Sequence, residues 1–211
     1  MFGKIKSHYL KLFNSLDDHG MTPLSYAAYI GFLEGVTYFL TELRQEAYEH
    51  NEDDSFPIHK ACSGGNVKIV EEFFRWSPYT KWLLNKKGQN ILHIAASHGK
   101  VEVVNYLLKH DKLDWLVNMK DKDGNTALHL ATMRKHAKVV YALTWDDRVD
   151  LMVQNKRGLT AFDLARECVG VPSLEEVLIT FFESTFLNIL FIYYFLYVVE
   201  CLSKTIKYYP V

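Results

Sequence analysis

The sequence predicts an all-α solenoid of about five stacked helix–turn–helix units. Three observations carry this prediction: a motif that recurs every 34–36 residues, glycine at most of the turn positions, and apolar residues at helical spacing. With 49% hydrophobic and 14% aromatic residues, the 211-residue chain is too rich in core-forming side chains to be disordered. One helix pair cannot bury its apolar face alone, so the pairs are expected to stack.

The repeat is visible as five segments that align on one frame. A turn position recurs at intervals of 34, 34, 36 and 34 residues, and an apolar position follows each turn with the same spacing. Glycine suits such a turn because it adopts positive φ at low cost. The turn positions are Gly20, Asp54, Gly88, Gly124 and Gly158, and the apolar positions are Leu24, Ile58, Leu92, Leu128 and Phe162.

Each unit is predicted to hold two helices. Threonine hydroxyls are expected to cap three of the first helices, and glycines are expected to end three of them in a left-handed conformation. The fourth unit has Lys135 where the first three have that glycine, so we expect a strained or shortened helix end there. The capping threonines are Thr22, Thr126 and Thr160, and the terminal glycines are Gly31, Gly65 and Gly99.

The chain is predicted to have four parts. Residues 1–17 are expected to form a capping helix, residues 18–182 the repeats, residues 183–203 a candidate transmembrane helix, and residues 204–211 a short polar tail. The N-terminus lacks the apolar core of a secretory signal, so no cleaved targeting segment is expected. The expected repeat boundaries are 18–50, 51–84, 85–120, 121–154 and 155–182.

These motifs resemble the ankyrin repeat, whose T-P-L-H-x-A pattern recurs in units of about 33 residues. Several strings are similar to plant ankyrin-repeat membrane proteins of the accelerated-cell-death 6 type, at residues 20–28, 65–70, 88–93, 130–133 and 143–146. That resemblance implies cytosolic repeats joined to C-terminal membrane helices, acting in salicylic-acid-linked defence. Members of that family have more repeats upstream and several spans downstream, so this chain resembles a member truncated at both ends.

The net charge of −1 hides an uneven distribution along the chain. Residues 17–54 hold nine acids and one base, a net charge of −8, whereas residues 55–176 hold 18 bases and 14 acids, a net charge of +4. The near-neutral total argues against nucleic-acid binding as the main activity. The acidic stretch is interpreted as a solvated face.

Neither catalysis nor a cofactor is expected, because the sequence contains no C-x-x-C, H-E-x-x-H, Walker or G-x-S-x-G motif. His59, His93 and His129 recur at one repeat position and therefore lie too far apart to bind one metal ion. We expect them to bond backbone groups and brace adjacent repeats. Cys62 occupies a small-residue position and is expected in the core.

The predicted function is protein binding through the continuous concave surface that stacked first helices and turn tips present. Tyr, Met and Arg, which are enriched at protein interfaces, occur at these positions. On the first helices the candidate protein-binding residues are Tyr26, Tyr29, Lys60, Ser63, Ile94, Ser97, Leu130 and Met133. At the turn tips they are Lys86, Lys87, Lys120, Lys122, Lys156 and Arg157.

The C-terminal segment predicts a membrane anchor. Residues 184–199 carry no charge, and extending this stretch to 183–203 gives a helix that spans the hydrocarbon core of about 30 Å. The repeats would then face the cytosol at the plasma membrane or endoplasmic reticulum. Two alternatives stay open: a soluble cytoplasmic ankyrin adaptor whose tail is a hydrophobic cap, and a fragment of a multi-span membrane protein that self-associates.

Overall fold

The computed structural model describes residues 16–110 and 113–167. Within these ranges the regular secondary structure is helical, without strands. The α-helices are α1 Pro23–Ile30, α2 Leu33–Glu42, α3 Pro57–Gly64, α4 Val67–Trp76, α5 Ile91–Ser97, α6 Val101–Leu108, α7 Asp114–Val117, α8 Ala127–Met133, α9 Ala137–Thr144 and α10 Ala161–Glu167. Two 3₁₀ helices, Arg44–Tyr48 and Pro78–Trp82, follow α2 and α4.

Three of the expected segments lie outside the described residues or nearly so. The capping helix expected at 1–17 falls almost entirely before residue 16, and the candidate transmembrane helix at 183–203 and the tail at 204–211 fall after residue 167. Within the described ranges, no helix is both long and apolar enough to cross a bilayer.

The helices stack in two rows. The first helices α1, α3, α5, α8 and α10 pack side by side in one row, which we call the first-helix row. The second helices α2, α4, α6 and α9 pack in the other, the second-helix row. In the first four units the two helices contact each other, and along each row of described helices every helix contacts the equivalent one of the next unit, as expected for a solenoid.

The core lies between the rows and depends on small residues in the first helices. Cys62 and the alanines Ala28, Ala61 and Ala96 are fully buried, which confirms the prediction for Cys62. Burial also raises the pKa of the Cys62 thiol. A Cβ at Gly64 would lie 2.2 Å from the carbonyl oxygen of Tyr29, so α1 and α3 can approach this closely only because Gly64 has no side chain.

The five turn positions all have positive φ, as the repeat predicts. Gly20, Gly88, Gly124 and Gly158 have φ of 69°, 72°, 80° and 74°, and Asp54 has 53°. An Asp or Asn three residues before most of these positions accepts two backbone N–H bonds and so shapes the turn. For example, the Asn155 Oδ1 accepts from the amides of Arg157 at 2.9 Å and Leu159 at 3.2 Å.

Helix ends agree with most of the predicted caps. Thr22 Oγ1 accepts from the Ser25 amide at 3.2 Å, and Thr160 Oγ1 accepts from the Asp163 amide at 3.1 Å. Thr126 caps α8 through a capping box with His129, and its hydroxyl lies 2.8 Å from the Nδ1 atom of that ring. The expected left-handed glycines are confirmed at Gly31, Gly65 and Gly99.

Lys135 adopts the strained conformation that its position predicts. Its φ of 62° lies in the left-handed region, where a Cβ is disfavoured by roughly 1–2 kcal/mol. The strain follows α8 at the point where the first and third units have Gly31 and Gly99.

We expect Lys135→Gly to raise the free energy of unfolding by about 0.5–1 kcal/mol, since relief of the steric strain outweighs the extra entropy of the unfolded glycine. Urea denaturation followed by circular dichroism measures this change. Lys135→Ala is the matched control, because it removes the side chain but keeps the Cβ. Equal midpoints for the two variants would show that no strain is released at this residue.

Candidate functional site

The first-helix row presents an exposed face that includes five of the predicted binding residues. Tyr26 and Tyr29 on α1 expose 48% and 47% of their area, and Met133 on α8 exposes 36%. Lys60 and Ser97 are half-buried between them. This face therefore combines two aromatic rings at one end with a thioether at the other.

Three other predicted first-helix residues do not reach this surface. Ser63, Ile94 and Leu130 are each only 7% exposed. The physical reason is the close lateral packing of the first helices, which covers side chains on the flank of each helix. Ile94 packs in the hydrophobic core, and Ser63 donates a hydrogen bond to the Lys60 carbonyl at 3.0 Å. These residues support the helices and offer little contact area.

All six predicted turn-tip residues are exposed, but three of them are already engaged. Lys86 lies 3.4 Å from the Asp54 carboxylate, Lys120 donates to the Gln154 carbonyl at 2.8 Å, and Arg157 lies 3.0 Å from the Glu167 carboxylate. Lys87, Lys122 and Lys156 form no ion pair with any residue of the two described ranges. The six residues are therefore not equivalent as contacts.

Backbone hydrogen bonds join neighbouring turn tips. The Lys122 amide donates to the Lys87 carbonyl at 2.9 Å, and the Lys156 amide donates to the Asp123 carbonyl at 3.0 Å. At the other end, the Glu52 amide donates to the Gly20 carbonyl at 2.9 Å. Backbone bonds therefore join the first tip to the second and the third tip to the fourth and fifth, whereas the second and third tips are connected by the Lys86–Asp54 ion pair.

Three buried histidines bond backbone groups, and two of them bridge consecutive repeats as the sequence predicted. The Nε2 atoms of His93 and His129 lie 3.0 and 3.1 Å from carbonyl oxygens of the following repeat, whereas that of His59 lies 3.1 Å from the Leu83 carbonyl near the end of its own repeat. Because the carbonyl accepts, Nε2 carries the proton, and Nδ1 accepts from the backbone amide before each helix. Within residues 16–110 and 113–167, no cluster of His, Cys, Asp or Glu could hold a metal ion.

A model for ankyrin repeats (three copies) matches residues 24–116 and 58–155, which together make up more than half of the chain. The chain belongs to the ankyrin-repeat family. This agrees with the resemblance that the T-P-L-H-like strings indicate.

Known ankyrin proteins share part of this sequence. An ankyrin repeat-containing protein of Schizosaccharomyces pombe is 28% identical over 110 residues, covering 51% of this chain and 46% of its own length. The human ankyrin repeat domain-containing protein 7 is 31% identical over 68 residues, covering 32% of this chain and 27% of its own length. The chicken nuclear factor NF-kappa-B p105 subunit is 29% identical over 116 residues, covering 55% and 12%. The chain spans less than half the length of each of these relatives.

Two stabilising features of this ankyrin array were not identified from the sequence. The Asn66 side chain donates to the carbonyls of Ala28 and Tyr29 at 2.8 Å each and so closes the end of α1 from the second repeat. The Arg148 guanidinium contacts the carboxylates of Asp146 and Asp114, which joins two connecting segments. Both features act between repeats. Among the polar side chains that bond the backbone of turns and helix ends, the Asp and Asn residues at the turns recur with the repeat and could have been recognised from the sequence.

Burial keeps the bridging histidines neutral. Desolvation lowers the pKa of His59 to about 4 and also lowers the pKa of His93 and His129, although the bonded carbonyls oppose this shift. In the unfolded chain a histidine has a pKa near 6.5. The unfolded state therefore binds more protons than the folded state below that pH, and stability falls as the pH falls.

We expect the free energy of unfolding to decrease between pH 6.5 and about pH 4, with His59 alone contributing about 3 kcal/mol at the lower limit. Urea denaturation at several pH values measures this slope. His59→Gln keeps an N–H donor but does not titrate, so its slope should be shallower. An unchanged slope in this variant would mean that His59 does not control the acid sensitivity.

Proposed function

We propose that this ankyrin-repeat chain is a non-catalytic scaffold that binds a partner protein through its first-helix face and turn tips. The observation that carries the proposal is the exposed placement of Tyr26, Tyr29 and Met133 on one helix row, beside unpaired lysines on the tips. Aromatic side chains and methionine are enriched at protein interfaces.

The buried polar groups support a structural role for the array. In His59, His93 and His129 both ring nitrogens are held in hydrogen bonds to the backbone, so none of these rings is available as a general base. Burial inside the stack is the largest cause of their depressed pKa values, and neighbouring cations such as Lys60 and Lys120 add smaller lowering effects.

A photo-crosslinking amino acid placed at Tyr29 tests this proposal in cells. We expect a discrete adduct with a partner protein, because Tyr29 lies on the proposed binding face. The same amino acid at Tyr141 is the matched control, since Tyr141 is 48% exposed but lies on α9 in the second-helix row. Equal crosslinking from both positions, or none from Tyr29, would overturn the assignment of this face.

We further propose that the chain is a plant protein of the accelerated-cell-death 6 type, anchored in the plasma membrane or endoplasmic reticulum with its repeats in the cytosol. The support is the similarity of the repeat strings and the 16-residue stretch without charge at 184–199. By this resemblance its signalling role is in salicylic-acid-linked defence. The proposed anchor, 183–203, lies outside the described residues.

Carbonate extraction of the expressed chain tests the anchor. We expect the full chain to stay in the membrane pellet and a variant that ends at residue 182 to be released. Release of the full chain would favour the cytoplasmic adaptor with a hydrophobic cap. Pelleting together with stable oligomers in detergent would favour the self-associating membrane fragment.

A further inference from the structure

One position on the turn tips changes charge sign along the solenoid. This position lies two residues before each of the five turn positions. We call its residues the tip row: Asp18, Glu52, Lys86, Lys122 and Lys156. The first two repeats therefore place an acid there, and the next three place a lysine. The tip row is exposed in all five repeats.

The fold holds the tip row in a defined line. The side chains of Glu52 and Lys122 reach over the turn of the preceding repeat: a Cβ at Gly20 would meet the Glu52 carboxylate at 2.5 Å, and a Cβ at Gly88 would meet the Lys122 Cγ at 3.2 Å. The backbone bonds between tips set the same register. Since packed helices lie 8–10 Å apart, successive positions of the tip row are separated by about 10 Å.

The basic part of this edge carries positive charge that the described residues neutralise only in part. Lys86 pairs with Asp54, but Lys87, Lys122 and Lys156 have no ion pair within the described ranges. Of the nearby carboxylates, Asp121 is buried, accepts backbone amides and accepts the Gln89 side chain at 3.0 Å. The exposed Asp123 offsets part of the positive charge.

We propose that the turn tips of the third to fifth repeats bind an extended acidic peptide segment of the partner protein. This inference rests on the proposed protein-binding function and names the chemistry of the partner. An extended or polyproline II chain advances about 3.1–3.3 Å per residue, so acidic side chains three residues apart match the spacing of about 10 Å. Lys122 and Lys156 of the tip row contact successive acids at this spacing, and Lys87, whose carbonyl accepts from the Lys122 amide, adds positive charge beside Lys122.

The first two repeats limit the length of this segment. Asp18 and Glu52 occupy the same row and repel an anion that continues beyond the third repeat. A nucleic acid strand carries phosphates along its whole length and would meet this repulsion. A short acidic stretch in a protein avoids it, so the charge pattern favours a peptide over a polyanion.

Fluorescence anisotropy with two synthetic peptides tests the inference on the full chain in detergent. The first is a 12-residue peptide with Glu at every third position, and the second has the same composition with its four Glu adjacent. We expect the spaced peptide to bind several-fold more tightly, and its affinity to fall as salt is raised from 50 to 150 mM. Equal affinity for the two peptides would overturn the spacing argument.

Charge neutralisation locates the binding site. Lys87→Gln, Lys122→Gln and Lys156→Gln together should weaken binding of the spaced peptide about tenfold, since three exposed charge contacts are lost. Lys68→Gln, Lys109→Gln and Lys138→Gln are the matched control: all three lysines are exposed, Lys68 and Lys138 lie on second helices, Lys109 directly follows α6, and the change in net charge is the same. The control should change the affinity less than twofold.

The outcomes separate this inference from the proposed function. No binding of the spaced peptide, equal weakening by both triple variants, or equally tight binding of a single-stranded oligonucleotide overturns the acidic-peptide assignment. A crosslinked adduct at Tyr29 alongside any of these results leaves the scaffold function standing and refutes only the partner chemistry. If the spaced peptide does not bind and no adduct forms at Tyr29, both the acidic-peptide assignment and the scaffold function are refuted.

Discussion

Each helix pair in this chain is stable only because the next pair covers its apolar face. The packing between repeats therefore determines where the turns and the exposed binding residues lie. Three kinds of contact form that interface. The first helices approach closely at small residues such as Gly64 and Ala96, buried histidines bond across to the next repeat, and backbone bonds join adjacent turn tips. A change in any of these contacts alters the position of every side chain on the binding face.

The first repeat shows that these contacts are partly interchangeable. Ser25 occupies the position of the bridging histidine and is fully buried, and its hydroxyl has no hydrogen-bond partner among the described residues. The second repeat instead supplies Asn51, whose Oδ1 accepts from the Thr22 amide at 2.9 Å, and Asn66, which bonds the last carbonyls of α1. The first repeat is therefore bonded mainly by side chains of its neighbour, the reverse of the arrangement at His93, whose own ring reaches the next repeat.

The periodicity of the sequence was sufficient to predict the fold, because a solenoid repeats one local structure, the helix–turn–helix unit. The turn glycines, the left-handed helix ends and the bridging histidines all follow from residue type at a fixed repeat position. The binding face was only partly predictable, because exposure depends on how closely neighbouring helices pack. Ile94 and Leu130 have the right register for the surface but lie under an adjacent helix. The ion pairs of Lys86 and Arg157 depend on side chains of other turns or helix ends, which the repeat frame does not specify.

At the turn tips, the groups that stabilise the fold are different from the side chains that are available to a partner. Their backbone is held by Asx side chains and by bonds between tips, whereas the side chains of the tip row point into solvent and carry no part of the core. Residues there can change charge without a cost in packing. Asp54 lies where the sign of the charge changes. It adopts the positive φ that glycine has at the other turns, and its carboxylate forms an ion pair with Lys86. The residue that strains the turn is thus also the acid that neutralises the first lysine of the row, so the unpaired positive charge begins only beyond it.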